Sequence, residues 1–195
     1  AYVALNVYRG ENLGAYGDGG ALFTNDDRLA EKLKALVNHG MVQRYHYDFV
    51  GVNSRLDTLQ AAILRVKLKH LQEYHQARQQ AAKFYDEALS GLADVKIPAR
   101  SPFSSHVFHQ YTIQVPAEVR DRLKQWLESK KIPSMIYYPV PLHLQQAYSD
   151  LGYGAGDLPV SERLSTRVLS LPMHTELDTE QLARISDQIH AFFKQ

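Results

Sequence analysis

An apolar run leads directly into a glycine-rich loop at the beginning of this sequence, and a second apolar run follows it. Residues 1–8 read Ala-Tyr-Val-Ala-Leu-Asn-Val-Tyr, residues 10–20 hold five of the eleven glycines, and residues 20–24 are again apolar. Such runs are typical of strands inside a sheet, and Asp18-Gly19 is a favoured turn dipeptide. The sequence therefore predicts two strands joined by a glycine-rich loop. The abrupt apolar start predicts a piece of a longer chain.

Helical spacing and capping residues predict the elements that follow. A first helix should begin after the N-cap candidates at 24–27 and continue to His39, where Gly40 ends it. The remaining predictions are, in chain order, a polar loop over 41–53, a long helix over 54–91, a connection over 93–105, a strand over 108–115, a helix over 117–130, a strand over 134–137, helices near 144–151 and 159–168, and a last helix over 178–193.

This order of short strands and covering helices indicates an α/β or α+β chain. The segment after the first part of the long helix holds enough elements to build a core of its own. We therefore predict two domains, one over residues 1–60, which ends with the start of the long helix, and a smaller α/β domain over residues 61–195.

The charge balance and the absence of cysteine exclude several classes of protein. Lysine and arginine number 22 against 21 aspartates and glutamates, so the net charge of +1 offers no electrostatic footprint for nucleic acid. No cysteine is available for disulfides or thiolate metal sites. No apolar run approaches the roughly 18 residues that span a bilayer, and no signal segment opens the sequence. The sequence predicts a cytoplasmic protein without membrane or nucleic-acid partners.

The histidines and loop aromatics do not form a recognisable metal or nucleic-acid motif. His39 and His46 lack acidic or histidine neighbours at metal-ligand spacing, so we predict no metal site. His106 and His109 would fall on opposite faces of a strand and are interpreted as structural. The Arg-Tyr-His-Tyr loop at 44–47 could offer a stacking surface, but the neutral charge argues against nucleic acid.

Short motifs in one colinear order carry a resemblance over nearly the whole chain. They are Asn-Leu-Gly-Ala-Tyr-Gly-Asp-Gly-Gly-Ala at 12–21, Thr-Asn-Asp at 24–26, Asn-His-Gly at 38–40, Gly-Val-Asn-Ser-Arg-Leu-Asp-Thr-Leu-Gln-Ala-Ala-Ile-Leu at 51–64, Tyr-Tyr-Pro-Val-Pro-Leu-His at 137–143 and Leu-Ser-Leu-Pro-Met-His at 169–174. Through these motifs the sequence resembles the DegT/DnrJ/EryC1/StrS sugar aminotransferases, a branch of the fold-type-I pyridoxal-phosphate (PLP) enzymes. No single motif is decisive, but their common order argues against coincidence.

The resemblance implies a fold, a reaction and a cofactor. The fold would be a fragment of the aspartate-aminotransferase-like PLP-transferase fold, with the end of the large domain followed by the small C-terminal α/β domain. The complete homodimer would use PLP, or its amine form pyridoxamine phosphate (PMP), to move an amino group from glutamate to a nucleotide-linked keto-sugar. Such a reaction serves deoxyamino-sugar or surface-polysaccharide synthesis. A family lysine holds the cofactor as a Schiff base and shuttles protons.

Glu11 stands where the resemblance places that lysine, just before the Asn-Leu-Gly motif. A carboxylate cannot form an imine, so the Schiff base is excluded at this position. Asn6 stands where the family usually has a serine that helps to hold the cofactor phosphate, and Arg9 where proline is common. We expect that this chain alone does not transaminate.

Asn53 and Arg55 are further site candidates that the resemblance supplies. Asn53 would reach across the dimer interface to the cofactor phosphate of the other subunit, a contact that suits an uncharged amide donor. Its alternative role is to cap a helix that starts at Ser54. Arg55 would lie at the sugar-nucleotide site, where a guanidinium pairs with phosphate or carboxylate. Its alternative is a solvated arginine at a helix start.

Tyr137, Tyr138 and His143 lie in a proline-bracketed segment that resembles the family's substrate-facing loop. The alternative is tyrosine packing beside a surface histidine. Three hypotheses follow for the whole chain: a portion of a nucleotide-sugar aminotransferase, a catalytically inactive relative that binds sugar nucleotide or a partner subunit, and a PMP-dependent sugar dehydratase relative. In the third, Glu11 would act as a base, although a carboxylate is a weak base unless burial strengthens it.

Overall fold

Two units divide the chain, Ala1–Glu73 and Tyr74–Gln195. A computed structural model describes residues 2–7 and 10–195, with residues 2–6 described by their backbone alone. The strands and helices, in chain order, are β1 Tyr2–Val7, β2 Gly19–Thr24, α1 Asp27–Leu36, β3 Met41–Gln43, β4 His46–Tyr47, α2 Thr58–Lys67, α3 Leu71–Leu89, β5 Tyr111–Gln114, α4 Ala117–Ser129, α5 Pro159–Ser165, β6 Val168–Leu171 and α6 Thr179–Phe193.

In the first unit the two strands predicted around the glycine-rich loop form an antiparallel pair. β1 runs against β2 with Val7 opposite Gly19 and Tyr2 opposite Thr24. Gly19 is required there, because a Cβ at this position would lie 2.8 Å from the Val7 side chain and 2.9 Å from that of Leu56. The sequence prediction of two strands joined by a glycine-rich loop is confirmed.

α1 begins as predicted and ends three residues earlier than predicted. Asp26 is its N-cap, and the carboxylate accepts the Leu29 N–H at 3.1 Å. The helix ends at Leu36 because His39 and Gly40 take left-handed backbone angles, with φ of 65° and 78°. Residues 37–39, which follow the helix, pair with the backbone of residues 52–54. Helical periodicity did not reveal this pairing.

The predicted polar loop at 41–53 and the predicted helix start at Ser54 are both wrong in detail. The loop contains a short hairpin of β3 and β4. α2 starts only at Thr58, with Asp57 as its N-cap, and a 3₁₀ turn at Leu68–His70 separates it from α3. The single long helix of the prediction is therefore two helices.

The second unit is built on an antiparallel sheet of short strands. β5 pairs with β6, and single bridges join Lys96 to Gln114 on one side and Met135 to Ser170 on the other. The predicted strand at 134–137 is only the bridge at Met135. The predicted helix at 159–168 ends at Ser165 because the chain enters β6, a strand that the sequence analysis missed.

Other elements of the second unit follow the predictions closely. α4 lies within the predicted 117–130, and α6 starts at a capping box in which Asp178 accepts the Gln181 N–H at 2.7 Å. The predicted strand at 108–115 is shorter, since Phe108 has a φ of 45° and β5 starts at Tyr111. The segment near 144–151 forms a 3₁₀ helix at Gln146–Leu151.

A continuous apolar core lies in the second unit. It combines α3, α4 and α6 with the sheet, and its largest fully buried side chains are Tyr85, Leu89, Tyr111, Ile113, Leu123, Leu127, Leu169 and Ile189. Arg78 is also buried, and its Nη1 donates to the carbonyls of Phe108, His109 and Met173 at 3.1 Å each. The guanidinium thus joins α3 to the segment before β5 and to the segment after β6.

Candidate active site

The glycine-rich loop of the first unit is fastened to α2. The backbone N–H of Tyr16 donates to Oε1 of Gln60 at 2.8 Å, and a Cβ at Gly17 would lie 3.1 Å from Nε2 of the same side chain. Glu11 is half-buried in the described part of this loop. The backbone of Asn6 lies opposite Gly20 in the β1–β2 pair, and the Asn6 side chain is not described. Arg9 lies outside the described residues. Sequence reasoning missed Gln60, although it lies inside the motif at 51–64.

Asn53 is positioned by a close backbone contact with the end of α1. The Val52 N–H donates to the Leu36 carbonyl at 2.8 Å, the Ser54 N–H to the Val37 carbonyl at 2.9 Å, and the His39 N–H to the Val52 carbonyl at 2.9 Å.

Two glycines make this contact possible. A Cβ at Gly51 would lie 2.0 Å from the Gly40 nitrogen, and a Cβ at Gly40 would lie 1.7 Å from the Phe49 carbonyl oxygen. The Asn-His-Gly and Gly-Val-Asn motifs are therefore parts of one local structure, joined at the bridge between Asn38 and Asn53.

The side chains of Asn53 and Arg55 are exposed and contact each other. Arg55 Nε donates to Asn53 Oδ1 at 3.0 Å, which leaves the amide NH₂ group as a donor for another molecule. The alternative role of Asn53 as the N-cap of the next helix is wrong, because Asp57 occupies that position. Arg55 likewise precedes the helix and does not belong to its first turn.

Arg55 borders two grooves of the first unit. One groove of ≈ 870 Å³ is lined by β2, by α1 and by residues 54–56, and the other of ≈ 820 Å³ by α1 and the β3 hairpin. Lys34 lines both grooves together with Arg55. Asp18 in the first groove and Glu31 in the second are acidic, while Arg44 adds a third cation to the second groove. Cationic residues therefore outnumber acidic residues in both grooves, which suits an anionic group such as a phosphate.

Tyr137, Tyr138 and His143 come together in the second unit. All three line one cavity of ≈ 430 Å³, which is within the usual size range of small-molecule sites. Tyr138 is 70% exposed, whereas His143 is only 8% exposed. The two tyrosine rings meet edge to face, with centroids 5.6 Å apart. His143 is thus a buried residue of the cavity wall, in contrast to the surface histidine of the alternative.

Glu162 fixes His143 from α5, and the sequence analysis missed it. Its Oε1 lies 2.9 Å from Nε2 of His143, and the same carboxylate accepts the N–H groups of Gly156 at 2.9 Å and Leu158 at 3.3 Å. The Gly156 N–H and the imidazole of His143 hold the pKa of Glu162 below its ordinary value. Its place in the first turn of a helix gave no sequence signal, because Glu118 and Glu180 take the same kind of position in α4 and α6.

The other histidines and the loop aromatics make local contacts. Nδ1 of His106 accepts the Phe108 N–H at 2.9 Å outside any strand, so the predicted placement on opposite strand faces is wrong. Arg44 donates to the Tyr45 hydroxyl at 3.2 Å. Within residues 2–7 and 10–195, no group of three or more metal-ligating side chains could hold a metal ion. In the same residues, no helix has the length and apolar character needed to cross a membrane.

A comparison with known families decides the relationship of the chain. The profile of the DegT/DnrJ/EryC1/StrS aminotransferase family matches residues 6–190. The chain belongs to this family. A relative from Acidithiobacillus ferrooxidans, a UDP-N-acetyl-3-dehydro-alpha-D-glucosamine 3-aminotransferase, is 47% identical over 185 residues, which are 95% of this chain and 49% of the relative. The chain spans about half the length of the relatives that it matches.

Solved structures share the fold of this chain. DesV of Streptomyces venezuelae, in complex with a ketimine intermediate, superposes with a TM-score of 0.93 at 38% identity and covers 100% of this chain and 52% of its own. NtdA of Bacillus subtilis with bound cofactor PMP gives a TM-score of 0.90 at 27% identity over 100% of this chain and 46% of its own. The predicted aminotransferase fold is confirmed as a portion that covers about half of such structures.

Proposed function

We propose that this chain is a portion of a PLP-dependent nucleotide-sugar aminotransferase, which moves an amino group from glutamate to a nucleotide-linked keto-sugar. The reaction would serve deoxyamino-sugar or surface-polysaccharide synthesis. The observation that carries the proposal is the exposed Asn53–Arg55 pair, held by the Gly40–Gly51 contact within a match to the family over residues 6–190. An amide donor beside a guanidinium is suited to a phosphate-bearing ligand.

The domain arrangement and the assembly belong to the same proposal. Residues 1–60 would form the end of the large domain with the start of the helix, and residues 61–195 the small C-terminal domain, in a cytoplasmic homodimer. Exposed apolar side chains of the first unit support an interface, since Val50 is 94%, Leu59 75% and Phe23 56% exposed.

Only part of a PLP or PMP site fits the residues of this chain. The Asn53 amide fits a contact to the cofactor phosphate, and Asn6 is proposed as a second phosphate contact. Covalent attachment does not fit, because Glu11 offers no amine and the sequence holds no lysine before Lys32. When bound, the cofactor would supply an electron sink for amino-group transfer.

Glu11 is also the specific observation that favours two other functions. A catalytically inactive relative could bind sugar nucleotide or a partner subunit without forming an imine. A PMP-dependent sugar dehydratase would use free PMP, with Glu11 as the base. Incubation with PLP followed by borohydride and peptide mapping separates these functions. Cofactor trapped on a lysine of the complete protein supports the aminotransferase, and binding of sugar nucleotide without any trapped cofactor supports one of the other two.

The substrate side of the proposal rests on four residues. Arg55 would bind the nucleotide phosphates, and Tyr137, Tyr138 and His143 would face the sugar.

Isothermal titration with UDP-N-acetylglucosamine tests the Arg55 contact in the full chain. Loss of one charge-assisted contact should weaken binding of Arg55→Ala by about tenfold or more. Arg65→Ala, which removes an exposed arginine from the last turn of α2, is the matched control and should bind like the wild type. Equal affinities of the wild type and Arg55→Ala would contradict the role of Arg55.

A further inference from the structure

The contact between His143 and Glu162 determines which ring nitrogen of the histidine carries the proton. The carboxylate accepts backbone N–H groups from Gly156 and Leu158, and these groups can only donate. An ionised carboxylate has no proton to donate and is an acceptor toward the imidazole as well. The Nε2 atom of His143, 2.9 Å away, must therefore be the donor. A neutral imidazole with its proton on Nε2 presents an unprotonated Nδ1, which is a hydrogen-bond acceptor.

The surroundings of His143 select the kind of ligand that would use this acceptor. The cavity wall is mainly apolar, with Val140, Leu142, Leu158 and Leu164, while Ser161 adds a hydroxyl. Tyr138, an exposed residue, lines the same cavity. An apolar wall with an exposed aromatic ring and a few polar groups suits a sugar ring, which has carbon-bound hydrogens on its faces and hydroxyls at its edge.

We propose that Glu162 is a positioning residue that holds His143 with its proton on Nε2, so that Nδ1 accepts a hydrogen bond from a hydroxyl of the nucleotide-linked sugar. The inference rests on the proposed function, since it takes a sugar nucleotide as the ligand. It adds a fixed direction to the contact: the protein accepts and the sugar hydroxyl donates.

Histidine-labelled ¹⁵N NMR of the full 195-residue chain at alkaline pH tests the tautomer directly. The His143 signals are assigned by their loss on substitution. The wild type should show a protonated Nε2 and an unprotonated Nδ1. Glu162→Gln keeps an acceptor oxygen for the ring and should preserve this pattern, whereas Glu162→Ala should give a mixture of both tautomers. Protonated Nδ1 in the wild type, or the wild-type pattern in Glu162→Ala, overturns the proposal.

Two substitutions of His143 separate the ligand contact from a purely structural role. Asparagine places its amide where Nδ1 lies, and glutamine places its amide where Nε2 lies. His143→Asn therefore keeps a group for the sugar and loses the link to Glu162, while His143→Gln does the reverse. With UDP-N-acetylglucosamine as the probe, His143→Gln should bind roughly fivefold to tenfold more weakly than His143→Asn. The opposite order would mean that the histidine acts only through Glu162, and it overturns the proposal.

Titration of the uniformly ¹⁵N-labelled chain with the same probe distinguishes failure of this inference from failure of the proposed function. The probe should shift the Nδ1 resonance of His143 in the wild type. Shifts at Asn53 and Arg55 without any shift at His143 overturn the inference and leave the proposed function standing. The absence of any probe-induced shift along the chain overturns both.

Discussion

Replacement of Gly51 by alanine tests the local structure on which the position of Asn53 depends. The new Cβ would lie 2.0 Å from the Gly40 nitrogen and 2.6 Å from the Leu36 carbonyl oxygen, and real Cβ atoms stay beyond 3.0 Å from such neighbours. The two backbone segments must therefore separate by about 1 Å. The three hydrogen bonds of 2.8 to 2.9 Å that join them would then exceed hydrogen-bonding distance. At about 1 kcal/mol for each bond, the expected loss of stability is about 3 kcal/mol.

Amide hydrogen exchange on the full chain measures this loss where it occurs. Gly51→Ala should abolish the protection of the His39, Val52 and Ser54 amides, while the amides of α6 keep theirs. Gly91→Ala is the control, because a Cβ there meets no atom within 4 Å. Its unfolding free energy in urea should stay within about 0.5 kcal/mol of wild type or rise slightly. Unchanged protection at Val52 and Ser54 in Gly51→Ala would refute the reasoning.

Three further predictions concern the second unit. Because the folded-state pKa of Glu162 is depressed, its carboxylate should stabilise the protein at a pH above its unfolded pKa near 4.5. This contribution should disappear as the pH falls through the folded-state pKa. In an acid titration followed by Trp126 fluorescence, Glu162→Gln should therefore lose stability less steeply than the wild type. Leu123→Ala empties a fully buried site and should cost roughly 2–5 kcal/mol in urea unfolding, whereas Leu151→Ala at a 64% exposed site of the same unit should cost under about 0.5 kcal/mol. Asp178→Ala removes the capping box of α6 and should cost about 1 kcal/mol in the same assay.

The elements that sequence reasoning located correctly are those whose signals are local. α6 has a capping box and a helical apolar pattern within fifteen residues, and β1 and β2 are apolar runs beside glycines. The elements that it missed depend on distant partners. Only Val168 of β6 falls in the predicted helix over 159–168, and the rest of β6 has no predicted element because its pairing with β5 defines the strand. The carbonyl groups at the C-terminal end of α1 likewise bind the distant N–H groups of Val52 and Ser54. Non-local backbone pairing therefore explains most of the errors.

The candidate site divides in the same way. Motif resemblance led to Asn53, Arg55, Tyr137, Tyr138 and His143, but it gave no geometry for any of them. The structure joins the first two by one hydrogen bond and places the other three around one cavity. Nothing in the spacing of these residues could have revealed that arrangement.

Gln60 and Glu162 show why a site needs residues that carry no chemical signature in the sequence. Each is a single polar side chain on a helix, and each is indistinguishable by type from its solvated neighbours. Gln60 accepts from the glycine-rich loop that contains Glu11, and Glu162 accepts from His143 and from the loop before α5. In both cases the partner lies in a loop, where a backbone without regular hydrogen bonds needs a side chain to satisfy it. A polar helix residue opposite a functional loop is therefore the kind of position that controls the geometry of such a site, and substitutions there should alter ligand binding without touching the ligand.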